Sequence, residues 1–377
     1  MKHERRLRLP DGAAVTAGLL ILLVFGVMAA LGWGGTFSER ENRNLAPVPD
    51  TPDPVNWNTD KQVESYLTDH IPFRQVLVAA DSAGLYLTGR NSQLNTWLAG
   101  GALVERPVQT DELSLRDTER RLGRLGSFAE KAGVPWYILT PPTHGSLTTA
   151  RMSPLMAAQY AQEADIHALV DATGHRVDMP ESFAADPDTM YYRTDHHWTL
   201  AGAYQAYVAL GDALGYAPLP LNGFRITEYA GFRGTTLSRS GLPSLWSDTL
   251  VCAEPDSPVT LTVTDGDSTV TWDHLIFPED AATYDGYAVY LHGNHGLLII
   301  ERPDAPEGTL VVFRDSFASC LLPMLSQHYR RVIAVDARYY TGVFSDALAV
   351  SDDTAAILYV YSLDSLVNGS YITRKAR

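Results

Sequence analysis

Cysteine is almost absent from this chain. Only Cys252 and Cys320 occur, with no metal-ligand spacing between them, so neither a disulfide framework nor a cysteine metal site is written into the sequence. The two either pair, in an extracellular domain, or stay as unpaired thiols; sequence distance leaves both open. Positive charge is short as well. The 29 Lys and Arg are outweighed by 44 Asp and Glu, giving a net charge of −15. Nucleic acid, which recruits basic patches, is therefore not an expected partner. The acidity is read as solubility. No internal repeat and no low-complexity tract is present. With 45% hydrophobic and 19% charged residues, the composition is that of a folded globular protein.

What is present begins with an uncharged run of 21 residues, Ala13 to Trp33. About 20 apolar residues span a bilayer core as a helix. Lys2, Arg5, Arg6 and Arg8 precede it, with Glu4 and Asp11. Acids count little in the positive-inside rule, so residues 1–11 are expected in the cytoplasm and the body outside it. The expected arrangement is a single-pass anchor at 12–34, a proline-bearing linker at 35–60 and one catalytic domain at 61–377. The alternative is a cleaved signal and a secreted protein. The run is long for a signal, and only the weak Ala30-Leu31-Gly32 triplet offers a cleavage site.

Hydrophobic spacing predicts helices from about Asp60, over 112–132, over 156–172 and over 200–214, the last N-capped by Thr199. The run 135–140 reads as a strand, and 225–300 as short strands with turns. Then follow strand 309–313, helix 317–328, strand 331–335 and strand 355–361. Strands alternating with helices imply an α/β fold with a mainly parallel sheet covered on both faces.

Two segments carry chemistry. Ser316 follows the apolar run Leu310–Phe313, at what would be the carboxyl end of a parallel strand, where ligands bind in such sheets. It would open the next helix, leaving its N–H unpaired. Alone, it is equally a helix cap, as is Asp315. The second segment is Asp195-His196-His197-Trp198. In extended chain, Asp195 and His197 share a side and His196 points away. Asp195 would then bond His197 Nδ1 and leave Nε2 for Ser316, the arrangement of an acyl-transfer triad. The rival readings are a metal site, for which His144, His292 and His295 are further donors at no recognised spacing, and plain structure.

Together, Asp195-His196-His197-Trp198 and Arg314-Asp315-Ser316-Phe317 resemble the DHHW family, grouped with the SGNH-hydrolase-like domains of alginate O-acetyltransferase proteins. Ser38-Glu39-Arg40-Glu41-Asn42-Arg43, Tyr290–Gly296 and Val335–Tyr340 resemble it too. The resemblance implies a three-layer, flavodoxin-like SGNH-hydrolase fold. It implies Ser316, His197 and Asp195 as the catalytic residues, without metal or cofactor. An asparagine and a glycine are implied as oxyanion donors, for which Asn294 and Gly145 are the candidates. Arg314 stands where ordinary SGNH enzymes have glycine, and is a candidate cation near substrate, as is Arg338.

The implied activity is O-acetyl transfer to, or removal from, a cell-surface or exopolysaccharide, by an O-acetyltransferase or acetyl esterase. A transferase implies a membrane-bound partner that brings acetyl across, because acetyl-CoA is cytoplasmic. The aromatics Trp198, Tyr191, Tyr192, Tyr339 and Tyr340 suit sugar stacking and core packing alike. A non-catalytic carbohydrate-binding or assembly protein on the same fold is the alternative.

Overall fold

The computed structural model describes residues 11–33, 35–38, 43–49, 57–90, 92–94, 96–243, 246–306 and 308–376. Residues 1–10 of the stretch expected in the cytoplasm, residues 39–42 of the Ser38–Arg43 motif and residues 50–56 of the linker lie outside that set. The chain divides into two compact units, residues 1–90 with 241–243, and residues 91–240 with 244–377.

The first unit opens with the helix Asp11–Ala30. Its Gly12–Ala30 stretch has a mean hydropathy of 2.5 and is the one described helix long and apolar enough to cross a membrane. Its leucines and valines are largely uncovered by protein, as suits a helix that is apolar all round. Two short strands, Phe37–Ser38 and Arg43–Asn44, pair antiparallel, and the helices Trp57–His70 and Arg74–Leu87 follow.

The second unit is built on a seven-stranded sheet: β1 (Trp136–Leu139), β2 (Thr260–Asp265), β3 (Ser268–Trp272), β4 (Leu297–Glu301), β5 (Thr309–Arg314), β6 (Arg331–Asp336) and β7 (Thr354–Val360). Their order is β3-β2-β4-β6-β5-β7-β1. The sheet is mixed. β6, β5, β7 and β1 run parallel, as the strand–helix alternation implies, while β3, β2 and β4 extend the sheet antiparallel. A two-residue turn at Gly266-Asp267, with Gly266 at φ 58°, joins β2 to β3; so short a connection permits only an antiparallel pair.

β5 is central, and all six of its residues are buried. Leu310 and Val312 pack with Ala203, Tyr207 and Leu210 of the helix Leu200–Leu214. Val311 and Phe313 pack on the other face with Leu122, Leu125 and Phe128 of the helix Glu112–Ala132. A strand covered on both faces reads as an unbroken apolar run, hence its visibility in the sequence.

The helix expected over 317–328 is instead a 3₁₀ turn, Ser316–Cys320, followed by a short helix, Leu322–Leu325. Pro323 has no N–H to give to a carbonyl one turn earlier, so a continuous helix fails there. The stretch 156–172 is likewise split, into Pro154–Gln159, a 3₁₀ turn and Glu163–Asp171. Cys252 and Cys320 are both buried and both free, so no disulfide joins them. Burial raises both thiols, Cys252 to about 12, which keeps them protonated and unreactive.

Candidate active site

The segment 193–197 is a bend rather than a strand. It is held from outside. The carboxylate of Asp248 accepts from the N–H groups of Arg193 and Thr194 and from the Thr194 hydroxyl. The Leu103 N–H donates to Arg193 O at 2.8 Å. Thr199 then caps the helix Leu200–Leu214 by accepting from Gly202 N–H, as read from sequence.

Within the bend, Asp195 Oδ1 accepts from His197 Nδ1 at 2.6 Å and from the His197 backbone N–H at 3.0 Å. Asp195 Oδ2 accepts from the Thr235 N–H at 2.7 Å and its hydroxyl at 3.0 Å. The other imidazole nitrogen, His197 Nε2, lies 2.7 Å from Ser316 Oγ. The structure thus brings Asp195, His197 and Ser316 into one chain of hydrogen bonds, with His197 in the middle. An ionised carboxylate only accepts, so Nδ1 carries the proton and Nε2 is free to accept from the serine hydroxyl.

Asp195 and His197 are both buried. Burial by itself would raise the Asp195 carboxyl, but the two imidazoles and the hydrogen bonds from His197 hold it well below the ordinary carboxylate range. Burial also pushes the His197 imidazole below 6.5, assisted by His196 and opposed by Asp195. The pair therefore rests as ionised carboxylate and neutral imidazole. The Tyr287 ring stacks flat on the His197 ring at 3.8 Å, fixing its plane.

His196 does not point away. The alternation rule needs extended chain, and the bend breaks it. The His196 ring lies 3.9 Å from the His197 ring, and its Nδ1 lies 3.2 Å from the Thr235 hydroxyl. Donor atoms of Asp195, His196 and His197 fall within 4.8 Å of one another, the one such cluster among the described residues. The Asp195–His197 bond and the Ser316 contact already occupy both His197 nitrogens, so a cation there would have to displace them. His144, His292 and His295 are not part of that cluster.

Ser316 follows the C-terminal end of β5. Asp315 is the residue that caps the turn, accepting from the Phe317 N–H at 3.1 Å through Oδ1. Its Oδ2 accepts from the Ser362 N–H and the Ser365 hydroxyl, both at 2.7 Å, tying β5 to the start of the short helix Leu363–Asn368 that follows β7. Ser316, released from capping, opens on a cleft of about 630 Å³ walled by Glu105, Val108, Thr143, Gly145, His196 and Arg338, among others.

Gly145, Arg338 and Ser316 thus share the cleft. At Gly145 a Cβ would lie 1.9 Å from the Tyr160 hydroxyl, so only glycine fits. Arg314 is fully buried and does not line the cleft. Asn294 Oδ1 accepts from Arg314 Nη1 at 3.2 Å and from Arg338 Nη2 at 3.5 Å. Trp198, Tyr191 and Tyr192 belong to the core, not to the cleft wall, and the exposed Tyr339 also lies outside that wall.

Sequence reasoning missed Thr235, Asp248 and Tyr287. The signal for the first lay in Gly234, where a Cβ would stand 2.2 Å from Asp195 Cβ. A glycine beside Thr235-Thr236 marks a close approach, but which residue approaches is a tertiary fact.

Residues 181–335 match the family described as DHHW protein, and residues 96–244 match the SGNH hydrolase-like domain of acetyltransferase AlgX. No curated protein matches the chain. Among solved structures, a DHHW family protein from Eubacterium siraeum is 20% identical, with a TM-score of 0.61 over 75% of this chain and 98% of that one. PatB1 of Bacillus cereus, solved with a sulfonyl adduct, is 20% identical, with a TM-score of 0.59 over 72% of this chain and 94% of that one. The resemblance read from the two motifs is shown by the family matches, and the likeness to the solved structures shows an α/β SGNH-hydrolase-like fold.

Proposed function

We propose that this chain is an extracytoplasmic serine acyltransferase or esterase acting on O-acetyl groups of a cell-surface or exopolysaccharide. The observation that carries the reading is the Asp195–His197–Ser316 chain, with links of 2.6 and 2.7 Å, ending in a serine that opens on a cleft. The match to an acetyltransferase domain supports the acyl group, and the apolar helix Gly12–Ala30 supports a membrane-anchored body outside the cytoplasm.

His197 Nε2 takes the Ser316 proton as Oγ attacks the acetyl carbonyl carbon. Negative charge then gathers on the carbonyl oxygen. The Ser316 N–H, first in its turn, is one donor for it, and Asn294 and Gly145 are the candidates for the others. The tetrahedral intermediate collapses to acetyl-Ser316, and the leaving oxygen takes the proton back from Nε2. A sugar hydroxyl, or water, enters by the reverse path. Asp195 stays ionised throughout and stabilises the imidazolium. For transfer, a membrane-bound partner would deliver acetyl from the cytoplasmic pool.

Sulfonyl reagents form adducts with activated nucleophiles, and the Bacillus cereus relative was solved with such an adduct. The test treats the membrane-inserted full chain with a sulfonyl fluoride, and separately with a small acetyl ester, and maps the modified residue by mass spectrometry. Sulfonyl and acetyl groups on Ser316 are expected. Acetyl appearing on an added polysaccharide identifies a transferase, and free acetate an esterase. An unmodified Ser316 in a chain that still binds polysaccharide overturns the reading in favour of a non-catalytic binder.

A further inference from the structure

Arg314 is the least expected residue near the site. It ends β5, directly in register with Asp336 at the end of the neighbouring β6, and its side chain is wholly buried. A buried guanidinium normally takes a carboxylate partner. Here it does not. Arg314 Nη1 donates to three neutral oxygens: Asn294 Oδ1 at 3.2 Å, Ser319 Oγ at 2.9 Å and Asp315 O at 3.5 Å. Its Nε and Nη2 have no partner. The nearby Asp336 carboxylate is engaged by Arg338, through Nε at 2.9 Å and Nη2 at 2.6 Å. That fork turns Arg338 so that Nη2 also reaches Asn294 Oδ1 at 3.5 Å.

Two cations therefore grip one amide oxygen. The orientation of Asn294 follows, because an NH₂ group facing two guanidinium groups would put donor against donor. Its Nδ2 makes no hydrogen bond among the described residues. The backbone leading to Asn294 is strained in the same cause. Leu291, His292 and Gly293 lie in the left-handed region, at φ 63°, 61° and 98°, and two of the three are not glycine. Such runs persist only where surroundings over-determine them, and cluster where geometry serves function. Here His292 Nδ1 is held by Asp280 at 2.7 Å and His295 Nδ1 by Asp265 at 2.5 Å, on either side of Asn294.

We propose that Arg314, with Arg338 behind it, is a positioning residue: the pair clamps Asn294 by its oxygen so that Nδ2 is left as a fixed donor to the carbonyl oxygen of the acetyl group during reaction at Ser316. This rests on the acyl-transfer reading above. It also accounts for arginine where ordinary SGNH enzymes carry glycine.

The test is a double-mutant cycle in the full chain, reading kcat and KM separately on a small acetyl ester, with sulfonylation of Ser316 as the control for a working nucleophile. Asn294→Ala is expected to lower kcat about a hundredfold with little change in KM, the size of one lost oxyanion donor. Arg314→Gln is expected to lower kcat at least tenfold, and to cost almost nothing further in the Asn294→Ala background. Arg338→Gln, at a partly exposed position whose replacement amide can still donate to Asp336, covers the case in which Arg314→Gln does not fold; it should show the same coupling in kcat. Losses that add in full overturn the clamp, as do losses confined to KM, or unchanged kcat in Asn294→Ala, while wild-type turnover leaves the acyl-transfer reading standing. A wild type that neither turns over nor accepts the sulfonyl group sinks the underlying reading instead.

Discussion

Trp198 Nε1 donates to the backbone carbonyl of Phe317 at 3.0 Å, linking the two motifs across 119 residues of chain. The indole is wholly buried, and the Phe317 ring packs edge-on against it at 5.4 Å. His197 precedes the first partner and Ser316 precedes the second, so this bond sets the distance between imidazole and hydroxyl. Trp198→Phe keeps an aromatic ring and leaves the carbonyl unpaired. It is expected to cost about 1–3 kcal/mol of stability and about a hundredfold in kcat, the penalty of roughly 1 Å of misplacement. Thermal unfolding and ester turnover measure both; unchanged kcat would contradict this role for the bond.

Loss of Ser316 or His197 to alanine should abolish ester turnover to nearly the same degree, because the two act as one unit. Asp195→Asn should cost on the order of 10⁴-fold by favouring the wrong tautomer. It should also lower stability, since the NH₂ that faces His197 Nδ1 would also face the His197 backbone N–H now served by Oδ1. His196→Ala should be milder, and chelators should change nothing. Full activity in Ser316→Ala, or inactivation by chelator alone, would transfer the assignment to a metal at Asp195, His196 and His197.

The activity should fall on acidification. The neutral imidazole is the base, and burial lowers its pKa from the ordinary 6.5. Activity is therefore complete above the folded pKa and lost as pH drops through it. The acid limb of kcat/KM should lie below pH 6.5. A limb at or above neutrality would contradict this, showing that Asp195 raises the imidazole more than burial lowers it.

Gly234→Ala should inactivate without touching the reacting atoms. The new Cβ would stand 2.2 Å from Asp195 Cβ and 2.4 Å from its Oδ2. Asp195 is pinned by four hydrogen bonds and has nowhere to move. Overpacking of this kind costs about 1–3 kcal/mol. Circular dichroism with turnover would separate a displaced Asp195 from global unfolding, and an active variant would refute the contact.

Glu163 should give the stability a pH dependence unrelated to catalysis. Burial raises its carboxyl from 4.5 to about 7, opposed by hydrogen bonds from Thr143 and Ser146. The folded state holds a proton that the unfolded state has released. Stability from this group is thus complete below about pH 4.5 and lost as pH rises through about 7, a change on the order of 3 kcal/mol. Glu163→Gln should flatten that slope and raise the melting temperature above pH 7. An unaltered pH profile would show that the carboxyl is ionised in the folded protein.

By itself the sequence determined whatever depends on neighbours along the chain. The apolar run Leu310–Phe313 declared a strand buried on both faces, because burial on two sides removes the polar alternation. Thr199 declared a helix start, and the helix over 112–132 was legible from spacing. The pairing of Asp195 with His197 was also local, being two residues apart, although it is achieved by a bend and not by an extended strand. The approach of Ser316 to His197 is another matter, since it depends on β5 meeting the 193–197 bend through Trp198 and Phe317. Residue spacing does not encode that meeting; the resemblance of the two motifs to one family supplied it as an expectation. Tertiary structure alone decided which groups complete the site. Asp248 and Thr235 arrive from distant segments to anchor the bend and Asp195, Tyr287 comes to lie flat on the His197 ring, and Arg314 turns inward to Asn294. Each of these is a contact between residues tens of positions apart or more, fixed by how layers pack on a shared sheet. The antiparallel extension β3-β2-β4 is of the same kind: its hairpin turn is local, but the edge on which it docks is not.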